Sequence, residues 1–323
     1  MALFFVLSLA LFWAFVLWRA NVSEARAEAA YPPEGQFLEV QGHKVHAVVV
    51  GPETGDVPDL VLIHGSSGMT RDMTFQLAPA LADRYRLFIF DRPGLGYSDP
   101  VSPNGATITQ QAAILSDAAR QLGAVKPIVA GHSYGGAVAL AWAVHHPDNI
   151  SALVPLSAAS HPWDTGLTTY YKILSHPVLS RIVIPLISAF VGEEILEREL
   201  AGVFEPNAVP EGYSDHFGPE MTLRRSAMRA NALQRRNLLE EIEALSPRYD
   251  EIEVPVEILH GNLDWAVGLD IHSRPLAKAV PDAQLEVLEG QGHMIQHTAP
   301  GAVVDAIDRA AARAAASAKA NRN

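Results

Sequence analysis

A serine among glycines is the residue of this chain with the clearest capacity for covalent chemistry. Ser133 lies in the run Gly131-His132-Ser133-Tyr134-Gly135-Gly136, between a short apolar stretch that predicts a strand and a longer one that predicts a helix. A strained strand-to-helix turn would lift the serine hydroxyl clear of a sheet, and side chains at positions 131 or 135 would clash with the backbone crossing there. The N–H of Tyr134 would face a developing oxyanion. We therefore predict that Ser133 is a nucleophile.

A serine hydroxyl is a weak nucleophile and needs a general base, for which 13 histidines are available. His293 lies in Gly290-Gln291-Gly292-His293-Met294, on a loop directly after the last predicted strand. Catalytic side chains of doubly wound sheets gather at the carboxyl edge of the strands, and this loop belongs to that edge. Most other histidines occur at predicted helix ends or on surfaces. His293 is therefore the predicted base.

The base in turn needs a carboxylate that holds its imidazole in the correct tautomer. Asp264 follows the predicted strand that ends in His260-Gly261, so it lies on a loop at the same sheet edge. Glu289 and Asp270 are the alternatives. Glu289 is too near His293 in sequence to approach its ring easily, and Asp270 is better placed to begin the next helix. Asp264 is therefore the predicted acid.

A second oxyanion donor is expected from the loop after the strand that precedes the first core helix. The run His64-Gly65-Ser66-Ser67-Gly68 lies there, and the N–H of Ser66 is the predicted donor. We expect His64 itself to pack and form hydrogen bonds within that loop. The run Asp91-Arg92-Pro93-Gly94 begins a further loop, which we interpret as a structural turn whose first two side chains satisfy backbone groups.

The elements that must position these residues alternate between strand and helix. Such alternation predicts a mostly parallel, doubly wound α/β sheet covered on both faces. Residues 37–40 and 45–50 are expected to form a hairpin. Further strands are predicted at 60–63, 85–90, 127–130, 153–156, 254–259 and 283–288, and helices at 73–81, 108–122, 137–144 and from 300 onward.

The alternation breaks over residues 161–250, which contain helical patterns interrupted by proline and glycine. Nearly 90 residues without a credible strand, inserted between two strands, predict a helical cap over the open end of the sheet. The hydrolytic core would then comprise 36–160 and 251–323. Apolar stretches of the cap, such as 182–190, are consistent with a greasy substrate pocket and equally with burial of the cap against the core.

The N-terminal segment differs from everything that follows. Residues 2–18 are apolar apart from Ser8, and 17 helical residues at ~1.5 Å each span about 25 Å, enough to cross a bilayer. We predict a transmembrane anchor over 1–20 and a linker over 21–35. Cleavage as a signal peptide near Ala27 is the alternative and would leave an exported enzyme. Arg19 is too little evidence to determine the membrane side.

Composition narrows the classes of partner. The net charge of −12 argues against nucleic acid, because phosphate binding needs clustered lysine and arginine. The absence of cysteine excludes disulfides, thiolate metal sites and a cysteine nucleophile. The expected partners are a small-molecule substrate and, through the N-terminal helix, a membrane. The oligomeric state is left open.

Taken together, the runs HGSSG, DRPGLGYSD, GHSYGG, HGNLDWAVG and GQGHMIQ resemble the α/β-hydrolase fold family in order and approximate spacing. The resemblance extends from about residue 36 to the final helix, with the cap as a variable insert. It implies a serine esterase or lipase with the triad Ser133, Asp264 and His293, and neither a metal nor an organic cofactor. Relatives that hydrolyse epoxides or alkyl halides carry aspartate where this chain has Ser133, which disfavours those activities.

The expected reaction is hydrolysis of an ester-like bond in a small, apolar substrate through an acyl-enzyme. Two related chemistries use the same triad: carbon–carbon bond hydrolysis, and cofactor-free perhydrolase or haloperoxidase activity. Carbon–carbon hydrolases of the family often carry tryptophan directly after the catalytic histidine, where this chain has Met294. A binding module that has kept the fold without turnover is the alternative of a different class.

Overall fold

The computed structural model of the chain describes residues 1–53 and 57–320, and a single sheet forms its centre. The eight strands lie in the order β1-β2-β4-β3-β5-β6-β7-β8. Their bounds are β1 Gln36–Val40, β2 His43–Val50, β3 Asp59–Ile63, β4 Arg86–Phe90, β5 Ile128–His132, β6 Ala152–Leu156, β7 Val256–Gly261 and β8 Ala283–Leu288. The predicted strands are thereby confirmed, with ends that differ by up to two residues.

The directions of the strands explain why the loops that carry the predicted catalytic residues meet. β1 pairs with β2 and β2 with β4 in antiparallel fashion, whereas every pair from β4 through β3 to β8 is parallel. The inner parallel strands β3, β5, β6 and β7 are buried on both faces, which is why they are rich in apolar residues such as Leu60–Ile63. Their carboxyl ends lie at one edge, and the loops that follow β3, β5, β7 and β8 all leave from that edge.

Helices cover both faces of the sheet, as the α/β fold class predicts. The bounds are α1 Ala2–Ala30, α2 Thr70–Thr74, α3 Leu77–Leu81, α4 Ile108–Gln121, α5 Tyr134–His145, α6 Thr169–Ser175, α7 Ser180–Phe190, α8 Glu193–Phe204, α9 Tyr213–Phe217, α10 Arg225–Leu245, α11 Ser273–Ala279, α12 Ile295–Thr298 and α13 Pro300–Ala320. On one face, α4 and α5 pack on Ile63, Phe90 and Val129. On the other, α3 and α13 pack on Leu62, Ile89 and Ala130.

Two elements differ from the sequence-based expectation. The single helix expected over 73–81 is divided into α2 and α3, because Pro79 lacks an N–H and is tolerated only in the first turn of a helix. The linker expected over 21–35 is helical up to Ala30, as part of α1. Its alanine-rich composition favours helix, and Glu24 and Glu28 form ion pairs with Arg225 and Arg224 that hold the segment against the rest of the protein.

The residues between β6 and β7 form five α-helices, α6 to α10, two short 3₁₀ helices at Pro219–Leu223 and Ser246–Glu251, and no strand. This part of the chain, which we call the cap, corresponds to the insertion expected over 161–250. Its longest helix, α10, contacts the loop after β3 through Asn231. The side-chain amide of Asn231 accepts a hydrogen bond from the N–H of Ser67 at 3.0 Å and donates one to the hydroxyl of Ser67 at 2.9 Å. The cap therefore lies against the edge of the sheet at which Ser133 is located.

Candidate active site

Ser133 occupies the sharp turn between β5 and α5. Its backbone has φ 54° and ψ −117°, in a region that non-glycine residues avoid, as expected for a strained turn. The flanking glycines are required by the close approach of the backbone. A Cβ atom at Gly131 would lie 2.2 Å from the carbonyl oxygen of Gly135, and one at Gly135 would lie 2.4 Å from that of Ile63. The local sequence therefore forces the turn that presents the hydroxyl.

The structure brings the three predicted catalytic side chains together. The Oγ of Ser133 lies 3.0 Å from Nε2 of His293, which follows β8. The Nδ1 of His293 lies 2.7 Å from Oδ2 of Asp264, which follows β7. All three side chains are buried. Because the carboxylate accepts the Nδ1 proton, Nε2 of the neutral ring carries the lone pair that faces the serine hydroxyl.

Asp264 is held as an anion by several donors. Its Oδ1 accepts hydrogen bonds from the N–H groups of Ala266 and Val267, both at 2.9 Å. Its Oδ2 also lies 3.3 Å from Nε2 of His260. Burial alone would raise the pKa of Asp264, but the hydrogen bonds from His260 and His293 outweigh it and hold that pKa well below its usual range. The carboxylate is therefore ionised wherever the imidazole can act as a base.

The two alternative acids lie elsewhere. Glu289 accepts a hydrogen bond from the side-chain amide of Asn262 at 2.5 Å, and Asp270 forms an ion pair with Arg274 at 2.7 Å. Neither carboxylate forms a hydrogen bond to His293 among those of the described residues. The geometry therefore selects Asp264 as the partner of the base.

The two predicted oxyanion donors, the N–H groups of Ser66 and Tyr134, belong to segments that adjoin the serine turn. A Cβ atom at Gly65 would lie 3.3 Å from Cβ of Ser133, so the loop after β3 contacts the turn that carries the serine. Within the described part of the chain, neither the N–H of Ser66 nor that of Tyr134 donates a hydrogen bond outside regular secondary structure. Tyr134 is the first residue of α5, where an N–H has no partner within the helix. Both predicted donors are therefore free to bind a ligand, on the loop and the helix that adjoin Ser133.

His64 and Arg92 organise the loop after β3. The N–H of Arg92 donates to Nε2 of His64 at 3.0 Å, so the ring proton is on Nδ1, which donates to the carbonyl oxygen of Gly65 at 2.9 Å. The guanidinium donates to the carbonyl oxygens of His64 and Gly65, at 3.0 and 2.8 Å. Burial and the nearby charge of Arg92 together lower the pKa of His64 to about 4. The predicted structural role of both residues matches these contacts.

The environment of Arg92 is unusual because the side chain is fully buried. Its remaining hydrogen bonds go to the amide oxygens of Gln111 and Gln234, at 2.8 and 2.9 Å, and its guanidinium lies 4.4 Å from the ring centroid of Tyr134. Over residues 1–53 and 57–320, all its hydrogen-bond partners are neutral and none is a carboxylate. A positive charge without an anionic partner therefore lies directly behind the loop that carries Ser66.

His132 connects the serine turn to the loop of the base. Its Nε2 donates a hydrogen bond to the carbonyl oxygen of His293 at 3.0 Å, and its Nδ1 accepts one from the amide of Gln296 at 3.3 Å. Burial and the neighbouring His293 together lower the pKa of His132 to about 3. The ring is therefore neutral, and it holds the main chain of the base in position.

Sequence reasoning missed two of these supporting residues. His260 stands in HGNLD and His132 in GHSYGG, both of which were recognised as motifs, but neither histidine was given a role. The contact of His132 is to a residue 161 positions away, which only the fold brings near, whereas His260 contacts Asp264 only four positions further along the chain. Their immediate proximity to predicted catalytic residues was the one signal available.

A cavity of about 60 Å³ lies between the loop after β3 and the cap. Its wall combines apolar side chains, among them Leu174, Leu223 and Met228, with the polar residues Ser67 and Asn231. The stretch 182–190, which was a candidate lining of the pocket, does not contribute to this wall. Ile184 of that stretch packs behind it, against Leu174 and Met228. Burial within the protein is therefore the better account of Ile184, Pro185 and Ala189, whereas Ile182 and Phe190 at the two ends of the stretch are exposed.

A comparison with known protein families identifies the same fold. The family model described as the alpha/beta hydrolase fold matches residues 58–300. The chain therefore belongs to the α/β-hydrolase fold family, and it is a hydrolase.

Individual relatives differ in their activities. The chain is 26% identical to haloalkane dehalogenase 2 of Mycobacterium tuberculosis, with 86% of this chain and 94% of that protein covered. It is 28% identical to the pimeloyl-[acyl-carrier protein] methyl ester esterase of Vibrio atlanticus, with 74% and 89% covered. Among solved structures, a thermophilic esterase of Thermogutta terrifontis superposes with a TM-score of 0.68 at 21% identity, covering 87% of this chain and 99% of that one.

Proposed function

We propose that the protein is a serine hydrolase that cleaves an ester-like bond through an acyl-enzyme. The observation that carries the proposal is the continuous hydrogen-bonded line from Asp264 through His293 to Ser133, with distances of 2.7 and 3.0 Å. Both lie within the range of productive proton transfer. A carboxylate, an imidazole and a hydroxyl in this order form an activated nucleophile whatever fold carries them.

In the proposed reaction, Ser133 Oγ attacks the carbonyl carbon of the substrate while Nε2 of His293 accepts the hydroxyl proton. The resulting imidazolium is stabilised by the ionised Asp264. The N–H groups of Ser66 and Tyr134 bind the oxyanion. The imidazolium then protonates the leaving alcohol, and the neutral ring activates a water molecule that hydrolyses the acyl-enzyme and returns the proton to the serine.

The likeness to a haloalkane dehalogenase makes dehalogenation the competing assignment. The nucleophile argues against it. Relatives that hydrolyse alkyl halides carry aspartate at the position of Ser133, and they form an alkyl ester of that carboxylate. A serine that displaced halide would instead form an ether, which the imidazole could not hydrolyse. The hydroxyl at position 133 therefore favours an acyl substrate.

The apolar side chains in the wall of the cavity beside the loop after β3, Leu174, Leu223 and Met228 among them, support an apolar acyl or alcohol group. We further propose that α1 anchors the enzyme in a membrane. Leu3–Ala30 is long and apolar enough to cross a bilayer, and only 11% of its most apolar window is buried within the protein. A signal sequence satisfies the same criterion, but the packing of α1 from Val16 onward favours retention of the helix.

The decisive test is the Ser133→Ala variant, assayed with short p-nitrophenyl esters. We expect hydrolysis to fall to the background rate while the circular dichroism spectrum stays that of the wild type. A fluorophosphonate probe should label the wild type and leave the variant unlabelled, because only an activated serine reacts. Unchanged turnover in Ser133→Ala would refute the assignment. A wild type that resists the probe would indicate a binding module without turnover.

The wild type should then be screened with esters, lactones, amides and β-diketones, together with peracid formation. Preference for simple esters supports the proposal. Preference for β-diketones would assign carbon–carbon bond hydrolysis to the same three residues, and peracid formation as the main activity would assign a perhydrolase.

A further inference from the structure

The second half of α1 is part of the folded protein. Side chains from Leu3 to Phe12 are exposed, whereas from Trp13 onward one face of the helix is covered by the cap. Val16 and Ala20 are fully buried against Ala189 of α7. The cap therefore contacts the last two turns of the apolar run, which is the part of a membrane-spanning helix that lies at the bilayer surface.

Polar contacts determine which turns of α1 lie beside which residues of the cap. The guanidinium of Arg19 donates to the carbonyl oxygen of Ala189 at 2.6 Å and lies 5.2 Å from the ring centroid of Phe190. One turn further, Glu24 pairs with Arg225 at 2.8 Å, a partly buried ion pair. Tryptophan and arginine at the end of an apolar helix, here the exposed Trp18 and Arg19, are typical of the membrane–water interface. The C-terminal end of α7 therefore lies at the level of that interface.

The corner between α6 and α7 exposes apolar side chains that nothing in the described chain covers. Val178, Leu179 and Ile182 are 59%, 44% and 48% exposed, and they lie within five consecutive positions. The two helices meet at 112°. We call these three residues the cap corner.

Cations without acidic partners surround the cap corner. Arg229 donates to the carbonyl oxygens of Leu174 and His176, and Arg236 donates to that of Ser175, all at the end of α6. Burial lowers the pKa of Arg229, and the neighbouring charges of Arg236 and Arg181 lower it further, so the three cations are close together.

These arginines contrast with cations elsewhere in this acidic protein. Over residues 1–53 and 57–320, Arg181, Arg229 and Arg236 form no ion pair, whereas Arg309 and Arg313 of α13 each pair with two carboxylates. The net charge of the chain is −12, yet the charges that act on Arg229 are those of Arg236 and Arg181 and not of a carboxylate. An apolar tip bordered by free arginines is complementary to anionic phospholipid headgroups above acyl chains.

We propose that the cap corner inserts into the interface of an anionic phospholipid bilayer that α1 crosses, and that the enzyme takes its ester substrate from that bilayer. The second part rests on the proposed function. α7 also connects the membrane contact to the cavity: Ile184 packs against Leu174 and Met228, and these two line the cavity beside the loop after β3. A shift of α7 in the membrane would therefore move the wall of the candidate substrate cavity.

The absence of cysteine makes a clean positional test possible. The full chain carrying Ile182→Cys, labelled with an environment-sensitive fluorophore, is reconstituted into vesicles of phosphatidylglycerol and phosphatidylcholine. The matched control is Val125→Cys, at a 77% exposed apolar position before β5. We expect a blue shift and quenching by nitroxide-labelled lipids at position 182, and neither effect at 125.

Other outcomes overturn the proposal. A label at 182 that stays in water refutes insertion. A shift that rises with the protein-to-lipid ratio and resists nitroxide-labelled lipids assigns the surface to a second copy of the chain. Equal insertion into vesicles of phosphatidylcholine alone would show that the arginines do not select anionic lipid, and would refute that part of the proposal.

Activity separates this proposal from the proposed function. In Ile182→Asp, hydrolysis of an ester dissolved in the bilayer should fall by about tenfold, while hydrolysis of a short water-soluble ester stays within about twofold of the wild type. Loss of neither activity refutes delivery from the bilayer. A wild type that hydrolyses neither ester refutes the proposed function and leaves the fluorescence result on the cap corner to stand by itself.

Discussion

The guanidinium Nη2 of Arg92 donates a hydrogen bond of 2.8 Å to the carbonyl oxygen of Gly65. That carbonyl belongs to the peptide unit whose N–H is that of Ser66, the proposed oxyanion donor. Hydrogen bonds in series polarise one another, and they do so most where the dielectric constant is low. A buried cation on the oxygen should therefore make the N–H a stronger donor to the oxyanion.

We accordingly expect Arg92→Met to lower kcat by about tenfold, which is less than the ~10²–10³-fold loss that follows removal of an oxyanion donor. Because Arg92 is buried, kcat should be expressed per serine titrated with a fluorophosphonate, so that unfolded protein is not counted. Arg92→Lys, which keeps the charge, should lose less. An unchanged kcat per titrated site in Arg92→Met would show that the residue only supports the loop.

Asp264→Asn should lower kcat by roughly 10³–10⁴-fold with little change in folding. The side-chain oxygen can still accept the N–H groups of Ala266 and Val267, but the amide then directs its NH₂ toward Nδ1 of His293. The ring must therefore carry its proton on Nε2, where it cannot accept one from Ser133. Steady-state kinetics measure the loss of kcat, and a thermal melt checks that the variant is folded. Asp270→Asn, at an exposed ion pair, is the control and should keep wild-type activity.

Gly131→Ala should prevent the serine turn from forming, since its Cβ would lie 2.2 Å from the carbonyl oxygen of Gly135. We expect loss of both soluble protein and fluorophosphonate labelling. Gly202→Ala is the matched control, because a Cβ there meets no atom within 4 Å and the position lies inside α8. That variant should gain about 0.5–1 kcal/mol in the free energy of unfolding from helix propensity. Normal labelling of Gly131→Ala would contradict the argument from backbone approach.

Asp72 predicts how stability depends on pH. It is buried and accepts hydrogen bonds from the hydroxyl of Tyr213 and from Nε2 of His297, both at 2.7 Å. Burial alone would raise its pKa, but the hydrogen bond and charge of His297 hold that pKa well below its ordinary value of 3.8. The stabilisation is therefore fully present above pH of about 4 to 5 and is lost as the pH falls toward the folded-state pKa.

In melts between pH 7 and pH 3, Asp72→Asn should start from a lower Tm than the wild type and should decline less steeply. The exposed Asp215, on the neighbouring α9, provides the control Asp215→Asn, whose melting curve should follow that of the wild type throughout. Parallel curves for the wild type and Asp72→Asn would rule out the carboxylate as the source of the acid sensitivity.

The sequence predicts the catalytic side chains better than it predicts what surrounds them. Ser133, Asp264 and His293 each follow a strand of the parallel sheet, and parallel strands necessarily bring their carboxyl ends to one edge. The orientation of the His132 and His260 side chains depends instead on contacts between loops, and such contacts leave no periodic pattern in the sequence.

The cap shows the same limit. The helices of the cap were predicted from their periodicity, but which face of α7 meets the cavity, the core or α1 depends on packing between elements far apart in the chain. The helical continuation of α1 to Ala30 was missed for the same reason. In the sequence, Glu24 and Glu28 look like the charged residues of a linker. Their partners Arg225 and Arg224 are about 200 residues away, and only the folded structure shows the ion pairs.

The ion pairs of Glu24 and Glu28 also determine how a water-soluble form of the enzyme can be made. Deletion of the entire first helix would leave Arg225 and Arg224 without their carboxylates and would uncover Ala189 at the back of α7. A chain shortened to begin at Trp13 removes most of the exposed apolar run and keeps all of these contacts. The useful truncation point therefore lies inside the hydrophobic segment, at the turn where the helix first touches the cap.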